Sequence, residues 1–448
     1  MKQNFILLFI FIVLHSQAQE EKKSFQFTLE QAIDFALKNN YKTINAQRDI
    51  ESAKQKKWET TAAGLPQISS NVQYLNNLDF QVQGVSGNAF NPGGNPNEVT
   101  TIAFGTRHSM NASATLSQLI FDGSYIVALQ ASKTYLQFFE NSKNKTELEI
   151  KQLVTSNYGN VLLAQENVTI LQKNKKTLEQ NLFETKEFLK NGLIEEENVE
   201  QIQITLNTIN SSLNNVTRLI DISTKMLKIT LGMSIDDNLV LTDKLNDLTL
   251  QKIDLNFEQT AFEVTDNIDF KIAQNFTEQR RLEFKREKAA YLPSLSASFN
   301  YGYNSFANNF TLFNQSQPWN NYSNFAVNLK IPIFSSFGRR AKNQQAKIAF
   351  EQSKTQLTET EQMLQLQFNS AKSDYAYSIE QLESSKQNLR LSERIENKQQ
   401  IKFKEGLSTS FEFTEAQRQL YTAQQNYLQA MIDVLNKKTT LDKLTNKN

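Results

Sequence analysis

The chain has 448 residues, a mean hydropathy of −0.50, 48 Lys and Arg against 47 Asp and Glu, and no cysteine. A nearly neutral charge carries no footprint of nucleic-acid binding, and the absence of cysteine excludes a disulfide framework and a lipid-acceptor thiol. Beyond the N-terminus no stretch stays apolar for about eighteen residues, so any entry into a membrane must be as a β-barrel rather than as ordinary transmembrane helices.

Residues 1–18 carry Lys2, an apolar run from Phe5 to Leu14, and Ser16-Gln17-Ala18, the pattern of a cleaved signal peptide. Thr28-Leu29-Glu30-Gln31, followed by Ala32, Ile33, Phe35, Ala36 and Leu37, predicts an N-capped amphipathic helix. Asn39-Asn40-Tyr41 interrupts it. The helical pattern then resumes to about residue 64, and Leu65-Pro66 ends it because proline disfavours helix at the residue before it.

After Pro66 the period changes to two. Ile68, Ser70, Val72 and Tyr74 share one face and Gln67, Ser69, Asn71 and Gln73 the other, which predicts a strand over about 67–77. A second strand, about 107–120, alternates Met110, Ala112, Ala114 and Leu116 with Ser109, Asn111, Ser113 and Thr115. Such alternation over about ten residues marks a membrane-spanning barrel strand, with an ordinary half-buried sheet as the alternative. The intervening segment, about 78–106, is rich in glycine and proline and reads as an extracellular loop.

A helical hairpin is expected over 122–232 with its tip at Gly192. Val199, Ile202, Leu206, Ile209, Leu213, Val216, Ile220 and Leu227 follow a seven-residue seam suited to coiled-coil packing. Residues 233–265 are less periodic and read as a connector. A second repeat, 266–448, then retraces the first, 19–232: a helix to 291, strands about 294–304 and 322–333, and a hairpin 336–445 with its tip at Gly406. Leu65-Pro66 returns 227 residues later as Leu292-Pro293, and Gly192 returns 214 residues later as Gly406. A continuous helix from Phe121 to Gly192 would reach about 100 Å at about 1.5 Å per residue.

Four strands with a lipid-facing side leave two open edges, each costing several kcal/mol per unpaired group in hydrocarbon. Closure needs about eight or more strands, hence several copies of the chain. The start Thr28-Leu29-Glu30-Gln31-Ala32-Ile33, the prolines Pro66 and Pro293, Ile331-Pro332-Ile333-Phe334, and the tips Gly192-Leu193 and Gly406-Leu407-Ser408 resemble the TolC family of outer-membrane efflux proteins. The resemblance covers essentially the whole mature chain. It implies a mixed α and β membrane protein, a homotrimer whose four strands per chain form a 12-stranded barrel continued by a periplasmic α-helical coiled-coil barrel. It also implies an outer-membrane exit duct for efflux or type I secretion, passive in itself, without cofactor. Its partners would be a periplasmic adaptor, an inner-membrane RND, ABC or MFS pump reached through that adaptor, and outer-membrane lipid. A non-conducting coiled-coil spacer or adhesin is the alternative.

The resemblance assigns adaptor docking to Gly192, Leu193, Gly406 and Leu407. Glu412 and Glu415, three apart and so on one helix face, correspond to the acidic stretch that lines the family's periplasmic constriction; threefold symmetry would make two carboxylate rings. Asn198 and Ser408 depart from the charged pattern, which argues against a salt-bridged lock. Pro66, Pro293 and Pro332 mark strand boundaries. His108, the one histidine outside the signal segment, lacks companion ligands.

Overall fold

The computed structural model describes residues 24–446 apart from Asn91 and Thr260. The expected signal peptide, 1–18, lies outside the described residues. Ser24–Phe27 forms strand β1 and Leu29–Asn39 helix α1. Thr28 caps α1 in the box read from the sequence: the Gln31 amide donates to Thr28 Oγ1 at 3.3 Å, and the Thr28 amide donates to Gln31 Oε1 at 3.0 Å. Asn40 then leaves helical geometry at ψ 135°, and α2, Tyr41–Ala62, begins.

Strands β2 (Gln67–Asn76) and β5 (His108–Asp122) frame the segment expected to be loop. That segment contains a hairpin of its own, β3 (Val82–Ser86) against β4 (Val99–Ala103). Its β-branched residues Val82, Val85, Val99 and Ile102 supply strand preference within a turn-rich composition. There follow α3 (Gly123–Lys190), α4 (Glu196–Leu231), β6 (Asn238–Leu241), α5 (Leu245–Lys252), α6 (Ile268–Ala289), β7 (Ser294–Ala307), β8 (Asn320–Lys330), α7 (Gly338–Lys404) and α8 (Ser410–Leu444).

Two compact units form, each drawn from both halves of the sequence. Among the described residues the first comprises those up to Ile50, Phe139–Gln274 and those from Gln356 onward. Its main core joins Leu29 and Ala36 of α1, Val154 and Tyr158 of α3, Leu227 and Leu231 of α4, and Val434 and Leu435 of α8. A second cluster, Leu171, Leu178, Leu182, Ile202, Leu206 and Ile209, is the α3–α4 seam. The connector is tied in by β1, which pairs in parallel with β6. Asp243 Oδ2 accepts the Leu29 amide at 2.7 Å and the Tyr158 hydroxyl at 3.0 Å. Burial pushes the Tyr158 hydroxyl well above the ordinary phenol value.

The second unit comprises Glu51–Phe138 and Asn275–Thr355 and holds an antiparallel sheet in the order β2-β5-β7-β8. Its register aligns like with like. Ile68, Leu116, Phe299 and Phe325 stand opposite one another in succession, and so do Ser69, Thr115, Asn300 and Asn324. Because opposed residues share a face, one side of the sheet is mainly apolar, with Ser70, Asn321 and Ser323 among the exceptions, and the other mainly polar. β2 and β8 are its edges.

Candidate functional site

The two faces of the sheet carry the first element of the site. In the single chain Ile68 is 79% and Phe325 69% exposed, which leaves a contiguous apolar surface. On the opposite face Thr115 Oγ1 donates to Asn300 Oδ1 at 3.2 Å, and Asn111 Nδ2 donates to the Tyr322 hydroxyl at 2.8 Å. Gly302 makes room for that tyrosine, because a Cβ there would stand 2.8 Å from the Tyr322 ring and from the Ala112 carbonyl. A sheet built this way can face hydrocarbon on one side and water on the other. His108 lies at the sheet's end, its Nδ1 2.9 Å from the Tyr74 hydroxyl and its ring against Phe310.

The prolines flank the strands: Pro66 precedes β2, Pro293 precedes β7 and Pro332 follows β8. The Pro332 carbonyl accepts Arg339 Nη1 at 3.1 Å, and that guanidinium lies over the Tyr291 ring. Ser336 and Phe337 adopt positive φ (47° and 62°), an uncommon conformation for residues with side chains.

The hairpin tips are built alike. Gly192 (φ 69°) and Gly406 (φ 70°) adopt the left-handed conformation with open space around the Cβ position, so the backbone and not crowding demands glycine. At the first tip the Gly192 amide donates to the Leu189 carbonyl at 2.9 Å and the Leu193 amide to Phe188 at 3.0 Å. At the second, Gly406 donates to Phe403 at 3.1 Å and Leu407 to Lys402 at 2.8 Å. This paired closure of a helix end turns Leu193 and Leu407 outward, 69% and 77% exposed.

Glu412 and Glu415 sit on the first turns of α8, and each has partners on its own segment. Glu412 closes a capping box with Thr409 and accepts the Ser408 hydroxyl at 3.0 Å. Those bonds, the Thr409 amide foremost, hold its carboxyl below the ordinary value. Glu415 accepts Arg418 Nε at 2.9 Å and Nη2 at 2.7 Å, and this hydrogen-bonded pairing lowers its carboxyl as well. Ser408, which departs from the family's charged pattern, thus serves the cap. At the first tip Glu195 makes no side-chain cap, and Glu196 and Glu197 lie in the first turn of α4, where the helix dipole favours anions.

Sequence reasoning missed the links between the hairpins. Ser410 Oγ donates to Gln201 Oε1 at 2.7 Å and Lys404 Nζ pairs with Glu184 Oε2 at 3.1 Å, while within the second hairpin Phe403 stacks on the fully buried Phe413. It also missed Glu396, which is only 8% exposed. Burial raises its carboxyl, against a hydrogen bond from Gln417 and the charge of Lys173. The signal lay in the spacing, since Glu396 stands seven residues after Leu389 and seven before Phe403.

Among the described residues no helix is long and apolar enough to cross a membrane, and no cluster of three or more His, Asp and Glu could hold a metal ion. Residues 266–447 match the family model described as Outer membrane efflux protein. No curated protein matches the chain in sequence. Similar solved structures include the CusC channel, 17% identical with a TM-score of 0.75 over 93% of this chain and 91% of that one. The CmeC outer membrane channel of Campylobacter jejuni is 18% identical, with a TM-score of 0.70 over 93% and 85%. The MtrE outer membrane channel of Neisseria gonorrhoeae, solved in its open state, is 17% identical, with a TM-score of 0.70 over 93% and 88%. At these identities the structures speak for the fold. The TolC-like resemblance read from the sequence therefore holds: residues 266–447 match the outer membrane efflux protein model, and the chain has the mixed helical and strand fold of outer-membrane channels.

Proposed function

We propose that three copies of the chain close one 12-stranded barrel in the outer membrane and that their hairpins form a periplasmic helical barrel beneath it. The assembly is a passive exit duct for efflux or type I secretion. Its energy comes from an inner-membrane RND, ABC or MFS pump, reached through a periplasmic adaptor. The observation that carries the reading is the sheet's register: apolar Ile68, Leu116, Phe299 and Phe325 on one face, polar Ser69, Thr115, Asn300 and Asn324 on the other, with β2 and β8 as free edges. In hydrocarbon those edges need partners, and a four-stranded contribution repeated about an axis supplies them. A coiled-coil spacer has no use for such a two-faced sheet.

The adaptor docks at the tips, where Gly192 and Gly406 set the turns and Leu193 and Leu407 offer exposed apolar contacts. Glu412 and Glu415 ring the constriction. Arg418 offsets Glu415, so the cation preference rests mainly on Glu412. Opening loosens the links Ser410–Gln201 and Lys404–Glu184, a two-state displacement biased by the adaptor. The reading is tested on purified protein in detergent and in planar bilayers. Heat-modifiable trimers that conduct ions support it; a monomer that inserts without conducting overturns it.

A further inference from the structure

The second hairpin carries a buried carboxylate where the first carries leucine. Leu382, Leu389, Glu396 and Phe403 recur every seven residues along α7, and the position 214 residues before Glu396 is Leu182. Both Leu182 and Glu396 are 8% exposed. Beside Glu396 lies a cavity of about 640 Å³ bounded by α3, α4, α7 and α8. That volume falls within the ~300–1,000 Å³ of small-molecule sites and is on the order of twenty times one water's share of the liquid.

The cavity has two chemical sides. Leu178, Ile204, Ile209 and Leu420 give it a hydrocarbon wall. On the other side Glu396 stands with Gln417 Oε1 and Thr414 Oγ1, two buried oxygen atoms with no hydrogen-bond partner among the described residues. The charges around it are Lys173 from α3, Glu393 and Glu396 from α7, and Arg418 from α8; α4 contributes none. Arg418 is engaged by Glu415, so the remaining lining charge is one negative. A carboxylate, two unsatisfied oxygens and an apolar wall ask for a ligand that brings N–H donors, one positive charge and a short hydrocarbon body.

We propose that this cavity binds a small organic ammonium ion, its nitrogen on Glu396, Gln417 Oε1 and Thr414 Oγ1 and its hydrocarbon against the leucine and isoleucine wall. A ligand held there touches all four helices and braces the two hairpins. The site lies within one chain and does not depend on the trimeric duct.

The test is calorimetric titration of the full-length protein in detergent with phenethylammonium chloride, using 2-phenylethanol as the uncharged probe and protein-free micelles as the blank. Saturable binding of the ammonium is expected, with the alcohol at least tenfold weaker. Glu396→Gln should lower ammonium affinity at least tenfold, Thr414→Val severalfold, and the exposed Glu359→Gln not at all. Both cavity variants preserve shape, and unchanged circular dichroism shows that they fold. Heat indistinguishable from the micelle blank, or equal affinity in wild type and Glu396→Gln, overturns the proposal and leaves a water-filled cavity.

Discussion

Thr409 and Glu412 cap each other's ends of one helical turn: the Thr409 amide donates to the Glu412 carboxylate at 3.0 Å, and the Glu412 amide donates to the Thr409 hydroxyl at 3.2 Å. The Thr409 amide is the chief cause of the lowered Glu412 carboxyl. A depressed carboxyl contributes stability that is present above its unfolded value, about 4.3, and is lost as pH falls through the folded value. Protection of the first-turn amides of α8, measured against their intrinsic exchange rate, should therefore fall below about pH 4. Thr409→Ala should weaken that turn by about 1 kcal/mol. Unchanged protection in Thr409→Ala at neutral pH would show that the box does not hold this helix end.

Selectivity should depend on Arg418 as much as on the acids. Glu412→Ala is expected to reduce cation preference and Arg418→Ala to increase it, because the latter releases Glu415 from its bidentate partner. Reversal potentials across a salt gradient in planar bilayers read both. Identical potentials in the two variants would place neither residue in the conducting path.

Adjacent positions on β8 should respond oppositely to charge. Phe325→Arg puts a guanidinium on the apolar face, at a cost of about 2–4 kcal/mol if it lies near the bilayer midplane. Asn324→Arg puts it on the polar face. The yield of heat-modifiable assembly in outer-membrane fractions should collapse for the first and persist for the second. Equal yields would mean that the apolar face does not meet lipid.

Asp243 joins the connector to two helices through Leu29 and Tyr158. Asp243→Ala strands the part-buried Leu29 amide, at a cost of about 1–3 kcal/mol, while the Tyr158 hydroxyl keeps the Phe27 carbonyl as its acceptor at 3.0 Å. Tyr158→Phe, which leaves the Leu29 contact in place, should cost less. Thermal melting ranks the two, and an Asp243→Ala protein that melts with wild type would make the contact dispensable.

Glu396 should destabilise the hairpins as pH rises. Its raised carboxyl contributes stability that is full below the unfolded value and lost as pH rises through the folded one. Glu396→Leu, which restores the residue type at position 182, should therefore melt above wild type at pH 8 and lose that advantage toward pH 4. A variant that melts lower at both pH values contradicts the packing argument.

Periodicity made most of the fold legible. The Thr28–Gln31 box, the break at Asn40, the alternation after Pro66 and Pro293, and the seam from Ile202 to Leu227 all leave a repeat in the residues themselves. What escaped lacks a repeat or runs against one. β1 and β6 are four residues each and pair across more than 200 positions, too short and too distant for a local pattern. The β3–β4 hairpin is disguised by glycine and proline. Glu396 occupies a seam position, but a charged side chain reads as solvent-facing until the helices around it are known. At the tips, glycine was readable from the turn it permits. Of the partners of Glu412 and Glu415, Thr409 stands at the cap spacing of three, whereas the bonds from Ser408 and Arg418 depend on rotamers.

The central claim is that β2 of one copy meets β8 of the next. The chain contains no cysteine, so disulfide trapping reads this directly: Ser69→Cys on the polar face of β2, combined in turn with Asn320→Cys, Asn324→Cys, Ala326→Cys or Asn328→Cys on the same face of β8. A pair in register brings the Cα atoms within about 4.4–6.8 Å, and oxidised membranes should then show covalent dimers and trimers on a denaturing gel, with the ladder ending at three. Monomers at every register, or a ladder running past three, would contradict the closed trimeric barrel.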